Sequence, residues 1–149
     1  MQVGTPGGLR LVDSIKSTNL GAFVGGNGAW TPIFTGGNMA NMLAGDWVVL
    51  MATVQGSLAT LPNACQIRVV PDAASTTSVE WINGNSTTLY SGGIWNFAGM
   101  THIGLTVAGV GRCTGLGVYA PSLEVLTAGA NLTLPIGSAG FHGIALRSN

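Results

Sequence analysis

Charged side chains are scarce in this chain of 149 residues. Asp, Glu, Lys and Arg together make up 7% of it, and five acidic residues balance five basic ones. Soluble domains average about 25% charged residues, and net charge keeps copies of a protein apart in solution. We therefore expect much of this surface to face other protein. The length itself matches one ordinary domain.

Clusters of positive charge are also lacking. The basic residues are scattered along the chain, at Arg10, Lys16, Arg68, Arg112 and Arg147. A nucleic-acid-binding surface needs several basic groups that together neutralise a run of phosphates. The sequence therefore predicts no nucleic-acid partner.

The motifs of catalysis and metal binding are missing. The chain has no Gly-x-Ser-x-Gly elbow, His-Glu-x-x-His pair or phosphate-binding loop, and no acid or cysteine adjoins His102 or His142. The two cysteines, Cys65 and Cys113, lack the paired spacing of a zinc site. They can be two buried free thiols or one disulfide. We expect no enzymatic activity, no catalytic residue, no metal and no cofactor.

Long hydrophobic runs are absent. The longest apolar run is "WVVLMA", from Trp47 to Ala52, whereas a membrane-spanning helix needs roughly 20 apolar residues. The first ten residues lack the basic and apolar regions of a signal peptide. We therefore expect no membrane partner and no export through the secretory route.

What the sequence does contain is a series of short alternating segments that predict β-strands. The segments "CQIRVV" and "THIGLTVAGV" show a period of two, and "SLEVLTAG", "NLTLPIG" and "GFHGIALRS" follow, separated by turn residues. This spacing predicts an all-β fold, an antiparallel β-sandwich or jelly roll. The expected core residues are Val49, Ile67, Val69, Trp81, Ile103, Leu105, Val107, Val118, Val125 and Leu134.

Three further segments carry local predictions. The segment "GDWVVLMATVQG" is apolar at successive positions, as expected of a central strand that is covered on both faces. In "SVEWINGNSTTLY", Asn83 and Gly84 fit the two-residue turn of a β-hairpin. In "NMANMLAG", Asn38 can cap and Gly45 can end a helix of one or two turns.

The composition changes near Gly45. Residues 1–45 are rich in glycine, with no charged side chain between Ser17 and Gly45, whereas 46–149 have strand character. We expect residues 1–45 to be an arm or loop segment that packs on or between subunits, and 46–149 to be the β-sandwich domain. Exposed aromatic groups favour association and a glycine-rich backbone is costly to order, so we expect another surface to cover this segment.

That cover can be a partner protein or the subunit's own sandwich. Under the first interpretation the interface residues are aromatic and aliphatic anchors, namely Phe23, Trp30, Ile33, Phe34 and Trp95. Under the second, the aromatic groups of the arm cap the sandwich of their own subunit. Trp30→Ala distinguishes the two.

A short, near-neutral, Gly- and Thr-rich all-β chain with an apolar N-terminal segment and no catalytic motif resembles the small structural proteins of tailed-phage particles. It is similar in particular to the jelly-roll decoration, or cement, proteins that sit on capsids as trimers. The resemblance implies a homotrimer that contacts the major capsid protein or another virion protein, in the capsid, tail or fibre. It also implies location in the virion after assembly in the host cytoplasm.

A second function remains open at this point. A carbohydrate-binding or host-adhesin module can use the same sandwich, with Trp30 or Trp95 stacking on a sugar ring. Such sites also need polar side chains for the sugar hydroxyls, and acidic residues are few here.

Overall fold

Strands account for all the regular secondary structure in the part of the chain described by the computed structural model, which covers residues 7–58, 64–83, 86–91, 94–95 and 102–149. The predicted all-β class is confirmed. The strands are β1 (Leu9–Thr18), β2 (Phe23–Gly25), β3 (Thr31–Thr35), β4 (Met39–Met42), β5 (Trp47–Leu58), β6 (Ala64–Pro71), β7 (Val79–Trp81), β8 (Leu89–Tyr90), β9 (Ile94–Trp95), β10 (His102–Cys113), β11 (Gly117–Tyr119), β12 (Pro121–Ala128), β13 (Leu132–Leu134) and β14 (Ala139–Ser148).

The strands form two main antiparallel sheets. The large sheet has the order β1-β14-β5-β10-β7, and β13 pairs with the far end of β5 and with β2. The second sheet has the order β3-β12-β6-β8, with β9 also on β6. A short ladder of β4 and β11 accompanies them. The two long strands β5 and β10 pair along eleven residues, so they form the centre of the large sheet.

The core lies between the inner faces of the two sheets, as expected for a β-sandwich. Eight of the ten predicted core residues are buried, since only Val49 and Val118 have a larger exposed fraction. Val118 is half-buried, and Val49 is 40% exposed, so both predictions were wrong. Val48 and Leu50, the neighbours of Val49, point inward instead, because successive side chains of a strand point to opposite faces.

The predicted hairpin around Asn83 is wrong in its strand pairing. β7 pairs with β10 in the large sheet, whereas β8 pairs with β6 in the second sheet. The chain therefore crosses from one sheet to the other after Trp81. Gly84, the second residue of the expected turn, lies outside the described residues.

The predicted helix near Met39 is a strand. β4 pairs with β11, and both Met39 and Met42 are fully buried. Two residues three positions apart share a side in a helix, but not in a regular strand. Here Asn41 has a positive φ of 57°, which interrupts the alternation and turns Met42 inward.

The segment before Gly45 is part of the sandwich in the structure. β1 pairs with β14 over its whole length, β2 with β13, and β3 with β12. A register shift between Leu11 and Asp13 lets the Asp13 carboxylate accept a hydrogen bond of 2.7 Å from the Ala40 N–H. The composition change at Gly45 therefore does not mark a boundary between an arm and the sandwich.

Candidate association surface

The outer face of the large sheet carries a row of exposed aliphatic side chains at its centre. Val49 on β5 lies directly opposite Ile144 on β14 and Val110 on β10. Directly opposite residues in antiparallel strands point to the same side of the sheet, so these three side chains are neighbours. Their exposed fractions are 40%, 39% and 40%. We call them the central row.

A second row lies one step along the strands from the central row. Trp47 is flanked by Leu146 on β14 and by Arg112 on β10, and Leu11 on β1 follows beyond Leu146. The Arg112 guanidinium lies 3.9 Å from the Trp47 ring centroid, a cation–π contact that covers part of the ring. Leu11 and Leu9 at the β1 edge are more than half exposed.

On the other side of the central row, Met51 lies between His142 and Ala108. The Ile82 N–H donates a hydrogen bond of 2.9 Å to the Val110 carbonyl, which places the exposed Ile82 at the β10 edge. Val49, Met51, Ile82 and Val110 line a shallow groove of about 520 Å³. The apolar surface is therefore continuous across the sheet.

Toward the other end of β5 the same face becomes polar. Thr53, Gln55 and Ser57 point outward there. Their partners on β10 are Thr106, Gly104 and His102, respectively. The face thus has an apolar half and an uncharged polar half.

Few charged side chains lie on this face, and none is in the central row. Of the outward-facing residues described in β1, β14, β5, β10 and β7, three carry charge. Lys16 lies on the edge strand β1, and Glu80 on β7 lies opposite Arg112. Within the central row no side chain carries charge, and the Arg112 side chain next to Val110 on β10 is held over Trp47.

A buried ion pair holds one end of the large sheet. The Arg147 guanidinium donates two hydrogen bonds of 2.7 Å to the Asp46 carboxylate and one of 2.8 Å to the Asn41 carbonyl. Asp46 is 2% exposed and also accepts from the Leu43 N–H. The hydrogen bonds from Arg147 are the main cause that lowers the pKa of Asp46 below its ordinary value of 3.8, although burial opposes them. This pair fastens β14 to the turn before β5.

The outer face of the second sheet is built differently. An ion pair of 2.6 Å joins Arg68 on β6 to Glu124 on β12. Trp30 lies over Arg68, with 4.3 Å between the guanidinium carbon and the ring centroid, and its ring centroid is 5.9 Å from that of Tyr90. This face is therefore occupied by a charged and aromatic cluster from the subunit itself.

The residues predicted as interface anchors lie at separate places. Phe23, Ile33 and Phe34 are partly buried against the subunit's own core, and Phe34 contacts Phe141 with 5.2 Å between ring centroids. Trp30 lies on the second sheet. Trp95 is in β9, opposite Ala64, and its side chain lies outside the described residues. The four described side chains, Phe23, Trp30, Ile33 and Phe34, do not form one surface.

Sequence reasoning missed the residues of the central row. The sequence signal for these residues is the run of successive apolar residues in β5. We interpreted this run as a strand that is covered on both faces. The structure covers only one of those faces within the subunit.

The structure places the two cysteines as buried side chains of the core. Cys65 and Cys113 are both buried and free, so the free-thiol alternative is confirmed. Burial raises the pKa of the Cys65 thiol to about 11, which leaves almost no reactive thiolate at neutral pH. Within the described residues, no group of three or more His, Cys, Asp or Glu side chains could hold a metal ion.

No protein-family model matches the chain, and no curated protein sequence matches it significantly. In the described part of the chain no helix is long and apolar enough to cross a membrane.

Proposed function

We propose that this chain is a non-enzymatic structural protein that works as a homo-oligomer and decorates or stabilises a tailed-phage particle. The observation that carries the proposal is the uncovered apolar half of the outer face of the large sheet. The homotrimer, the jelly-roll connection and the phage particle follow from the resemblance in composition and character.

An exposed apolar patch of several hundred Å² usually marks a surface that contacts another protein. The patch here is continuous from Leu11 on the edge strand to Val110 near the opposite edge. With ten charged residues in 149, the rest of the chain adds little repulsion between neighbours. Both features favour a protein that is stable within an assembly.

The charged groups that are buried or half-buried serve the fold. Asp46 binds Arg147, and Glu124 binds Arg68, in pairs that join separate elements. Arg147 lowers the pKa of Asp46, so this carboxylate is stabilised in its charged form and is poorly suited to accept or donate a proton near neutral pH. These pairs support a structural role.

The self-assembly is tested by size-exclusion chromatography with light scattering on the purified chain. We expect a mass that is a multiple of 15.1 kDa, and three copies from the resemblance. A mass of 15.1 kDa at micromolar concentration would contradict the homo-oligomer. A monomer that binds on a glycan array would instead favour the adhesin alternative.

The virion role is tested on particles of the phage that encodes this chain. We expect mass spectrometry to detect the chain in purified particles at many copies per particle. We also expect particles made without it to lose their genome at a lower temperature. Its absence from purified particles would contradict the virion role and leave the oligomer untouched.

A further inference from the structure

We infer that copies of this chain associate with one another through the outer face of the large sheet, with Val49, Ile144 and Val110 at the centre of the contact. This inference rests on the proposed self-assembly and names its surface. The alternative surface is the segment that contains Trp30 and Phe34.

The distribution of polarity on this face is that of a protein–protein interface. Stable interfaces have an apolar centre and a polar margin from which charges are not excluded. Here the central row lies on the three middle strands, whereas Lys16 and Glu80 lie on the edge strands β1 and β7. Arg112 lies on β10, at the end of the strand where it leaves the apolar half. The Arg112 side chain is already held over Trp47.

The occupant that fits this face is another copy of the same chain. A face without charge at its centre gives no electrostatic selection for a foreign partner, and it causes no repulsion when two identical copies meet. Homo-oligomer interfaces are also more apolar than the interfaces of transient complexes. The sequence as a whole carries no net charge that would oppose such contact.

The size of the face is sufficient. β10 lies beside β5 over eleven residues, whereas β14, with β1 alongside it, follows β5 over eight. At about 4.8 Å between strands and about 3.3 Å per residue, these four strands span on the order of 600 Å². A standard stable interface buries about 800 Å² on each partner. Two copies would together bury on the order of 1,200 Å², the lower end of the range for specific interfaces.

The alternative surface is less available. Phe34 and Phe23 are partly buried in the subunit's own core, and Trp30 contacts Arg68 and Tyr90. A group that already packs within its subunit gains less surface burial from a partner. The residues of the central row keep a larger exposed fraction, 39–40% each, than the half-buried Phe23, Trp30 and Phe34.

The first experiment places a lysine in the central row. Ile144→Lys puts a charge where the centres of two copies would meet. Ile136→Lys is the matched control because Ile136 is 67% exposed and lies outside the central row, in the turn between β13 and β14. We expect Ile144→Lys to weaken association at least about tenfold, as for a central interface residue. Ile136→Lys should leave the oligomer intact. Circular dichroism and thermal unfolding establish that both variants are folded.

The second experiment needs no disruption of the assembly. Val49→Cys and the control Ile136→Cys are treated with a maleimide in the native oligomer, where Cys65 and Cys113 are buried. We expect Val49→Cys to react at least about tenfold more slowly than Ile136→Cys, because a desolvated interface excludes the reagent. Adding Ile144→Lys to the same chain should restore fast labelling.

The results separate this inference from the proposed function. If the wild type is an oligomer but Ile144→Lys assembles normally and Val49→Cys labels as fast as the control, the surface is wrong and the self-assembly stands. If the wild type is a monomer, both are wrong. A folded, monomeric Ile144→Lys beside an oligomeric Ile136→Lys supports both.

Discussion

At the scale of single residues, two glycines of β10 have opposite surroundings. A Cβ on Gly111 would lie 2.6 Å from the Glu80 carbonyl oxygen and 2.6 Å from a methyl of Val79. The neighbouring strand β7 therefore leaves no room for a side chain at this position. A Cβ on Gly104 would meet nothing within 4 Å. Gly104→Ala is therefore the matched control for Gly111→Ala.

We expect Gly111→Ala to lower the free energy of unfolding by about 1–3 kcal/mol, the usual cost of overpacking. Gly104→Ala should change it by less than about 0.5 kcal/mol. Urea unfolding of the two variants beside the wild type measures both values. Equal stability of the two variants would show that β7 does not pack on β10 as described.

The Tyr119 hydroxyl is a second case at this scale. Tyr119 is fully buried, packs edge-on against Trp81, and its hydroxyl has no hydrogen-bond partner among the described residues. Burial accordingly raises the pKa of Tyr119. An unsatisfied buried hydroxyl costs free energy in the folded state.

Tyr119→Phe should therefore leave the protein as stable as before or more stable by up to about 1 kcal/mol, since it removes the unpaired group and keeps the ring. Tyr90→Phe is the control and should be neutral, because Tyr90 is 37% exposed. Chemical unfolding compares the three proteins. A loss of more than about 1 kcal/mol in Tyr119→Phe would mean that a buried water satisfies the hydroxyl.

At the scale of elements, the Asp46–Arg147 pair connects β14 to the turn before β5 and makes stability depend on pH. The pKa of Asp46 is lower in the folded protein than its ordinary value of 3.8. A carboxyl with a depressed folded pKa stabilises the protein fully above the unfolded value, and this contribution is lost as the pH falls through the folded pKa.

We expect Asp46→Asn to lower the free energy of unfolding by about 2 kcal/mol at pH 7, because hydrogen bonds between charged groups are lost while Arg147 keeps some contact with water. The difference from the wild type should persist down to about pH 4 and shrink below 3.8. Urea unfolding between pH 3 and 7 measures it, with the exposed Glu80→Gln as control. A difference that does not change with pH would contradict the role of the carboxylate charge.

The segment between β2 and β3 is the other element with a testable role. Trp30 contacts Arg68 and Tyr90 of the same subunit, so we expect Trp30→Ala to lower stability by about 1 kcal/mol and to leave the oligomer intact. Thermal unfolding and light scattering on the same sample check this. An unchanged melting temperature with weakened association would restore the interpretation in which Trp30 inserts into a neighbour.

At the scale of the whole molecule, the outer face of the large sheet sets how association responds to salt. Raising the salt concentration from 0.1 to 1 M shortens the screening length from about 10 to about 3 Å and weakens contacts between charges. A contact centred on Val49, Ile144 and Val110 has no charge at its centre to screen, and its charged residues lie around that centre. We expect the dissociation constant to stay within about twofold or to fall, as measured by sedimentation velocity. Tenfold weaker association in 1 M salt would indicate a charged interface instead.

Much of the fold could be predicted from local patterns. Ile103, Leu105 and Val107 were assigned to the inner face from alternation alone, because the period of two is a property of any extended strand. Cys65, Ile67 and Val69 follow the same rule on β6. The short alternating segments likewise predicted the antiparallel all-β class.

The wrong predictions concern segments whose structure depends on pairing with strands that are far away in the sequence. Asn83 and Gly84 suit a tight turn, but the strands on either side join different sheets, since pairing with β10 and with β6 depends on residues far away in sequence. The spacing of Met39 and Met42 fits a helix. Their burial in a strand requires the positive φ of Asn41 and the pairing of β4 with β11.

For the candidate site, the sequence by itself determined that β5 is apolar on both faces and that the chain has almost no charge to protect them. Only the tertiary structure decided which face is covered. The register of β5 with β10 and β14 turns Val48 and Leu50 toward the second sheet and leaves Val49 outside with Ile144 and Val110. The alternation of side chains shows that a strand has two faces, but not which face is buried. A shift of the strand pairing by one residue moves every side chain to the opposite face, and the pairing is set by contacts between strands that are far apart in the chain.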